Sequence, residues 1–250
     1  MKKLVILLIA FTLTNCYESI DDSDANCSTD CSILQGKVIT ENNQGISDVD
    51  FTFEFKRWST LGSYQRTISK VSTDNNGNFY DEFYLKDHEI DPEKKGYFLL
   101  TADLSNLAGN TDLLLPLAQD FELSDSFKIV DRNTPIEQTF YIPKKTTVKV
   151  NLNNFVVAQE GDSFVVQSTF PFGFKDPNPV TMATTLDTDY ELYSSKFYRA
   201  TETNNTFEVV LAQNQKNNLR IFRRKNGVNE YEDLVLDVKS TSPSEITIDY

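Results

Sequence analysis

The stretch VDFTFEFK, residues 49–56, decides the fold class because apolar and polar side chains alternate along it. In an extended chain, Val49, Phe51, Phe53 and Phe55 lie on one face, and the acidic, hydroxyl and basic side chains between them lie on the other. A period of two is typical of a strand with one buried face, whereas a surface helix repeats its apolar residues with a period of about 3.6. We therefore predict a β-strand with a phenylalanine-rich core face.

Similar alternation continues on both sides of this stretch. In the first half of the chain we expect further strands at residues 34–40, 66–73, 79–85, 97–104, 127–130 and 136–142. The cluster DNNGN at residues 74–78 is rich in turn formers, so we predict that it joins 66–73 to 79–85 as a hairpin.

The second half of the chain has its own series of alternating segments. They begin at residues 146–155 and continue at 164–170, 190–199, 206–211, 219–224, 231–238 and 246–250. Asn226-Gly227 is the strongest two-residue hairpin signal in the chain. About seven strands in this half predict a second β-sandwich of immunoglobulin-like size. The overall expectation is an all-β protein with two sandwich domains in tandem, at residues 33–143 and 144–250.

The first residues of the chain have the features of an export signal. Lys2 and Lys3 precede an apolar run at residues 4–13 that is too short to span a bilayer. The run ends in Leu13-Thr14-Asn15-Cys16, which resembles the lipobox of bacterial lipoproteins, although Asn15 replaces the small residue usual before the cysteine. The resemblance implies cleavage of a signal peptide at residues 1–15 and acylation of Cys16. The alternative is an ordinary signal peptide with an incidental cysteine.

An acidic segment follows this cysteine, and no basic residue lies between Cys16 and Lys37. We expect residues 16–32 to form a disordered, lipidated tether, because the charge has one sign and apolar content is low. The segment resembles the signal that sends some Gram-negative lipoproteins to the outer face of the outer membrane, although a plain solvated linker would look the same. The predicted partner is therefore the membrane, through the lipid anchor.

Two further cysteines, Cys27 and Cys31, lie close together in this segment. In an oxidising envelope compartment we expect a disulfide between them, with free thiols as the alternative. Zinc is disfavoured because two thiols and the distant His88 do not make a four-ligand site. We expect no metal and no cofactor.

The charge of the chain argues against nucleic-acid binding. Removal of Lys2 and Lys3 reduces the 24 basic residues to 22, against 37 acidic residues, so the formal charge changes from −13 to −15. Such a chain is repelled by phosphate backbones.

Four motifs in the first half occur in the order typical of carboxypeptidase regulatory-like domains. They are Gly36-Lys37-Val38, Gln44-Gly45-Ile46, Asp48-Val49-Asp50-Phe51, and Thr73-Asp74-Asn75-Asn76-Gly77-Asn78-Phe79. Residues 33–143 resemble this family, also called transthyretin-like or prealbumin-like. The sequence departs from the family pattern at Ile46-Ser47, where Pro-Leu is usual, and in an insertion at residues 105–126. The resemblance implies a seven-stranded sandwich that has a structural or binding role and no catalytic one.

Catalytic motifs are absent from the sequence. There is no nucleophile elbow, Ser-x-x-Lys motif or glycine-rich phosphate loop, and we expect His88 to be a surface loop residue. Asp74, Asn76 and Asn78 imitate alternating calcium ligands, but a turn explains them more simply. A hydrolase with a carboxylate pair is the remaining enzymatic alternative, and it rests only on the abundance of acidic residues.

Exposed aromatic residues are the remaining candidates for ligand binding. Phe172 and Phe174 lie in a segment with three prolines, residues 170–179, which predicts a rigid loop that presents the rings to a glycan or protein. The alternative is that they cap the second sandwich. Trp58 and Tyr64 form a second candidate pair. The leading hypothesis is a non-enzymatic envelope lipoprotein that acts as a binding or assembly module.

Overall fold

The computed structural model describes residues 16–59, 62–93, 95–116, 121–157, 159–175, 186, 188–200, 205–239 and 245–250. Almost all regular structure in these ranges is β, with one short α-helix, α1 (Asp87–Ile90), and two single-turn 3-10 helices at Glu41–Asn43 and Ser105–Leu107. The strands are β1 (Cys16–Asp21), β2 (Ser32–Ile39), β3 (Asp50–Ser59), β4 (Gly62–Ser72), β5 (Asn78–Phe83), β6 (Tyr97–Asp103), β7 (Glu122–Phe127), β8 (Ile136–Tyr141), β9 (Lys145–Asn153), β10 (Ser163–Lys175), β11 (Tyr190–Ala200), β12 (Thr206–Ala212), β13 (Gln215–Lys225), β14 (Val228–Val238) and β15 (Glu245–Asp249).

These strands form three sheets. A five-stranded sheet has the order β1-β4-β3-β6-β7, and a three-stranded sheet has the order β12-β9-β15. The third sheet has the order β14-β13-β10-β8-β2-β5, with β11 also paired to β10. This largest sheet contains strands from both halves of the chain. The two smaller sheets pack their apolar faces against it. The predicted all-β sandwich architecture is confirmed.

The first core lies between the five-stranded sheet and the strands β2, β5 and β8. Phe51 stacks on Phe79 with ring centroids 4.3 Å apart, and Phe53 stacks on Phe98 at 5.5 Å. The predicted alternation of residues 49–56 is confirmed, because Val49 and the three phenylalanines of β3 are all at most 1% exposed.

The second core is formed by β9, β12 and β15 together with one end of β10 and its neighbours. Strand β10 belongs to both cores, since Phe164 and Val166 lie in the second and Phe170, Phe172 and Phe174 in the first. The predicted domain boundary between residues 143 and 144 stays a prediction. Strand β10 nevertheless joins the two halves through hydrogen bonds to β13 on one side and β8 further along.

Local turn chemistry predicted one hairpin correctly. Strands β13 and β14 pair from Lys225 and Val228 outward. Asn226 and Gly227 connect them with φ values of 52° and 78°, as a type I′ turn requires.

Two other predictions were wrong. The turn at residues 74–78 forms, but β4 pairs with β3 and β1 whereas β5 pairs with β2, so the chain crosses between sheets there instead of making a hairpin. The predicted strand at residues 127–130 is replaced by β7, which ends at Phe127.

The segment predicted to be a disordered tether also differs from the expectation. Cys16–Asp21 forms β1, which pairs in parallel with β4. Its acidic residues find basic partners on the first sandwich, a long-range effect that local composition does not reveal.

The four motifs quoted above meet at one place in the first sandwich. The amide of Val38 donates to the carbonyl oxygen of Gly77 (2.8 Å), and its carbonyl accepts from the amide of Ile46 (3.0 Å). The amide of Val49 donates to the hydroxyl of Thr73 (3.1 Å). The motifs therefore have a structural role here, whichever family the domain belongs to.

Gly36 is required by close packing within this region. A Cβ atom there would lie 1.9 Å from the carbonyl oxygen of Gln138 and 2.6 Å from the ring of Phe79. We expect Gly36→Ala to lower the free energy of unfolding by about 3 kcal/mol, because the clash involves backbone and a packed ring. Gly109→Ala is the matched control, since a Cβ atom at Gly109 meets nothing within 4 Å. Urea titration of both variants would contradict this account if their midpoints were equal.

Candidate functional site

Strand β1 places Cys16 at one corner of the molecule. Strand β1 is an edge strand of the five-stranded sheet. It runs parallel to β4, with Cys16 paired to Gly62 and Asp21 paired to Thr67. Gly62 in turn pairs with Ser59 at the end of β3. The backbone of Cys16 therefore lies beside the start of β4, and the end of β3 is one strand further away.

A buried ion pair holds the other end of β1. The guanidinium of Arg66, on β4, donates to both carboxylate oxygens of Glu89, on α1, at 2.7 and 2.6 Å. It also contacts Asp22, just after β1, at 3.3 Å, and Asp22 accepts from Lys86 at 3.1 Å. Arg66 is 3% exposed and Glu89 is 5% exposed. The end of β1 is thus fixed to α1 and β4 by a set of charges whose central pair, Arg66 and Glu89, is removed from water.

The pKa of Arg66 reflects two opposing effects. Burial alone disfavours the charged guanidinium, but its hydrogen bonds to Glu89 and the negative charges of Glu89 and Asp22 outweigh this. The result is a pKa above the ordinary arginine value, so the group stays charged. Nearby, the hydrogen bond from Lys70 lowers the pKa of the exposed Asp21 to about 2.

The strand register puts the Cys16 end of β1 and the second core at opposite ends of the first sandwich. Ile39 at the end of β2 pairs with Tyr141 at the end of β8, and the chain enters the second half directly afterwards. After Ile39 the chain continues into the start of β3, so the start of β3 lies at the end of the first sandwich that faces the second core. Cys16 lies near the opposite end of β3, because it pairs with Gly62, the partner of Ser59. Ten residues of strand separate the two ends of β3, a length of roughly 30 Å.

The cysteines at positions 27 and 31 form a disulfide, with Cα atoms 5.7 Å apart. It closes a short loop between β1 and β2. A five-residue loop restricts the unfolded chain only slightly, so this bond orders the connection without supporting either core.

The ligand candidates Phe172 and Phe174 are core residues. Each is 1% exposed, and both rings pack against Phe140, with centroids 5.7 and 4.9 Å apart. The prediction of a ligand-presenting loop is wrong for these two rings, and they occupy the first core instead of capping the second. The cause is that β10 continues to Lys175, and residues 176–179 of the predicted loop lie outside the described residues.

The other aromatic candidates have different environments. Trp58 is 66% exposed, and its indole N–H donates to the hydroxyl of Tyr97 at 3.4 Å. Tyr64 is half-buried and packs edge-on against Phe55 and His88. The two candidates lie on adjacent strands, because Tyr64 pairs with Arg57.

Sequence reasoning missed an aromatic surface on the outer face of β13 and β14. Phe222 and Tyr231 are a cross-strand pair, 36% and 71% exposed, and Arg220 lies over the Tyr231 ring at 5.5 Å. Beside them, Arg199 and Arg224 line a shallow concavity next to Phe222. The Asn226-Gly227 turn contained the signal, because its two-residue geometry fixes the register and pairs residue 222 with residue 231.

The polar residues considered for chemistry have structural partners. One carboxylate oxygen of Asp74 accepts from the amides of Asn76 and Asn78, both at 2.8 Å, which supports the turn interpretation. His88 lies in α1 and is half-buried, so the expectation of a surface loop residue was wrong. The buried carboxylate of Glu54 accepts from Gln65 and contacts Lys56 at 3.0 Å.

No group of three or more potential metal-ligating His, Cys, Asp or Glu side chains occurs among the described residues. In the same part of the chain, no helix has the length and apolar character needed to cross a bilayer.

Comparisons with known proteins give only distant similarities. No protein-family profile matches the chain, and no curated protein sequence matches it. Among solved structures, it is similar to the Bacillus anthracis TIE protein (12% identity, TM-score 0.30, 88% of this chain and 33% of that one). It is also similar to a streptococcal ancillary pilin (8%, 0.33, 90% and 63%) and to a putative cell adhesion protein from Bacteroides ovatus (12%, 0.26, 87% and 91%).

The chain thus spans only a third of the first of these proteins and less than two thirds of the second. With TM-scores and identities this low, the similarities support no inference about function. The resemblances to the lipobox and to carboxypeptidase regulatory-like domains stay predictions.

The buried ion pair generates a prediction about stability. We expect Glu89→Gln to lower the free energy of unfolding by about 3 kcal/mol or more, because it removes the buried counter-ion of Arg66 and leaves only the partly exposed Asp22. The matched control is Asp87→Asn, which removes the exposed partner of Arg132 and should lower the free energy of unfolding far less, because water screens an exposed ion pair. Denaturant titration measures both, and equal losses would show that the buried pair has no special role.

Proposed function

We propose that this protein is a non-enzymatic lipoprotein of the bacterial cell envelope, anchored through Cys16 and acting as a binding or assembly module. The observation that carries the proposal is the position of Cys16 at the outer end of an edge strand, beside the start of β4. An acyl group at this corner would leave both cores intact, because the corner lies at the periphery of the five-stranded sheet. The lipobox-like sequence before Cys16 supplies the chemical reason for acylation.

The distribution of features along the molecule supports the same proposal. The anchored corner and the second core lie at opposite ends of the first sandwich, so an anchor at Cys16 would hold the second core away from the membrane. The outer membrane of a Gram-negative bacterium, with the body facing outward, is the location we propose, on the basis of the acidic residues after Cys16. We propose no nucleic-acid partner, since the formal charge of the chain is −13.

Lipidation is directly testable in cells. We expect palmitate labelling of the wild-type protein, complete loss of the label in Cys16→Ser, and accumulation of an unprocessed precursor under globomycin. The double variant Cys27→Ser, Cys31→Ser is the matched control and should keep the label, because those two cysteines are joined to each other. Normal maturation of Cys16→Ser would refute the anchoring proposal.

A second candidate function is recognition of a glycan or peptide by the outer face of β13 and β14. Tyr231 is 71% exposed, and the cross-strand Phe222 extends the same apolar surface. Arginine side chains next to exposed rings are typical of recognition surfaces, because they add directed hydrogen bonds to apolar contact. This surface replaces the one predicted at Phe172 and Phe174.

A substitution on this face separates binding from stability. We expect Tyr231→Ala to reduce retention on a glycan array about tenfold while the melting temperature stays unchanged, because an exposed ring contributes contact area and little folding energy. The control is Tyr80→Ala, on β5, where the ring is 52% exposed and belongs to another face. Equal retention of the two variants would remove this face from consideration.

A further inference from the structure

The paired ends of β3 and β4 carry the exposed Trp58 next to the corner where the lipid would be attached. Cys16 pairs with Gly62 on β4, and the next residue of β4, Ser63, pairs with Trp58 on β3. Neighbouring strands lie about 4.8 Å apart, so two strand spacings put the backbone of Trp58 roughly 10 Å from that of Cys16. The register itself fixes this proximity, which does not depend on where either side chain points.

The connection between Cys16 and the sheet leaves little freedom. Strand β1 begins at Cys16 itself, and the ion pairs of Asp21 and Asp22 fix its other end. With no flexible linker between the acylated residue and the sheet, the paired ends of β3 and β4 must lie at the level where the acyl chains enter the bilayer.

The residues at this end suit the polar–apolar boundary of a bilayer. Tryptophan and tyrosine are enriched there because their rings are apolar and their N–H or O–H groups are polar. Trp58 is 66% exposed and donates to the hydroxyl of Tyr97, so both rings lie at the same end of the sheet. Arg57, on the adjacent position of β3, lies over the ring of Tyr64 at 5.6 Å and adds a cation at this level.

We infer that the paired ends of β3 and β4, with Trp58 as the principal residue, are a membrane-contact surface that inserts at the headgroup level of the bilayer. This inference rests on the proposed acylation of Cys16 and specifies how the anchored protein is oriented. The first sandwich stands on the membrane with β3 pointing toward the bilayer. The second core and its aromatic face are then held at the far end.

The sequence makes the test specific, because Trp58 is the only tryptophan in the chain. The full chain is produced in cells, purified in its processed form and reconstituted into phosphatidylcholine vesicles that contain lipids brominated on the upper acyl chain. Tryptophan emission then reports the depth of this one residue. Mass spectrometry of the N-terminal peptide reports, on the same sample, whether Cys16 is acylated.

The matched control moves the tryptophan to the other end of the molecule. The double variant Trp58→Phe, Tyr231→Trp places the indole on β14, at a position where the native tyrosine is 71% exposed, beside the second core. We expect brominated lipid to remove roughly half of the wild-type emission, because an indole at the headgroup level lies within reach of the upper chain, and to leave the control unchanged. The wild-type emission should also shift to shorter wavelength than in detergent-free buffer.

The outcomes distinguish membrane contact by Trp58 from acylation of Cys16. An acylated protein with quenched Trp58 emission and an unquenched control supports the membrane-contact surface. An acylated protein whose Trp58 is not quenched, or is quenched no more than the control, overturns the surface and leaves the anchoring in place. An unacylated N terminus overturns the anchoring, and the oriented surface falls with it.

Discussion

The packing of strand β10 into two cores is the constraint on which the rest of the structure depends. Its first half buries Phe164 and Val166 under the three-stranded sheet, and its second half buries three phenylalanines under the five-stranded sheet. Gly173, with φ at +101°, allows the strand to bend where it reaches β8. One continuous strand supplies large rings to both cores. If either smaller sheet separated from β10, the phenylalanines that it covers would be exposed to water.

The buried pair of Arg66 and Glu89 has a different role from the aromatic packing. Burial of two charges costs desolvation energy that their attraction only partly returns, so the pair adds little net stability compared with apolar residues of similar size. Its effect is to specify an arrangement, because only a conformation that brings α1 to β4 satisfies both charges. Asp22 extends this arrangement to the end of β1, which turns an acidic segment into part of the sheet.

The parts of the fold that depend on local chemistry were predictable from the sequence. Alternation identified β3 and most other strands, and Asn226-Gly227 identified a turn together with its register. Prediction failed where partners are distant in sequence. The end of β1 is held in place by ion pairs with Arg66, Lys70 and Lys86. The composition of the acidic segment does not reveal these partners, because they lie more than 40 residues away in the sequence.

The candidate site was predicted less well than the fold, for the same physical reason. Aromatic and proline content at residues 170–179 suggested a loop, but whether a ring is exposed depends on what covers it, and Phe140 covers both Phe172 and Phe174. Trp58 is exposed because the alternation of β3 places it on the face turned away from the first core, opposite Phe51, Phe53 and Phe55. Tyr231 was missed although the turn beside it had been recognised, because a register identifies the cross-strand partner of a residue and not the face that a second sheet will cover.

The parallel pairing of β1 with β4 has a mechanical consequence. A force that pulls on Cys16 along the strand axis acts on all six register pairs of β1 at once, because the two strands must slide past each other before any one pair is released. A perpendicular pull would open the pairs one after another at a far smaller load. The first strand is therefore oriented to withstand tension along its own length, with the charges of Asp21 and Asp22 adding resistance at the trailing end.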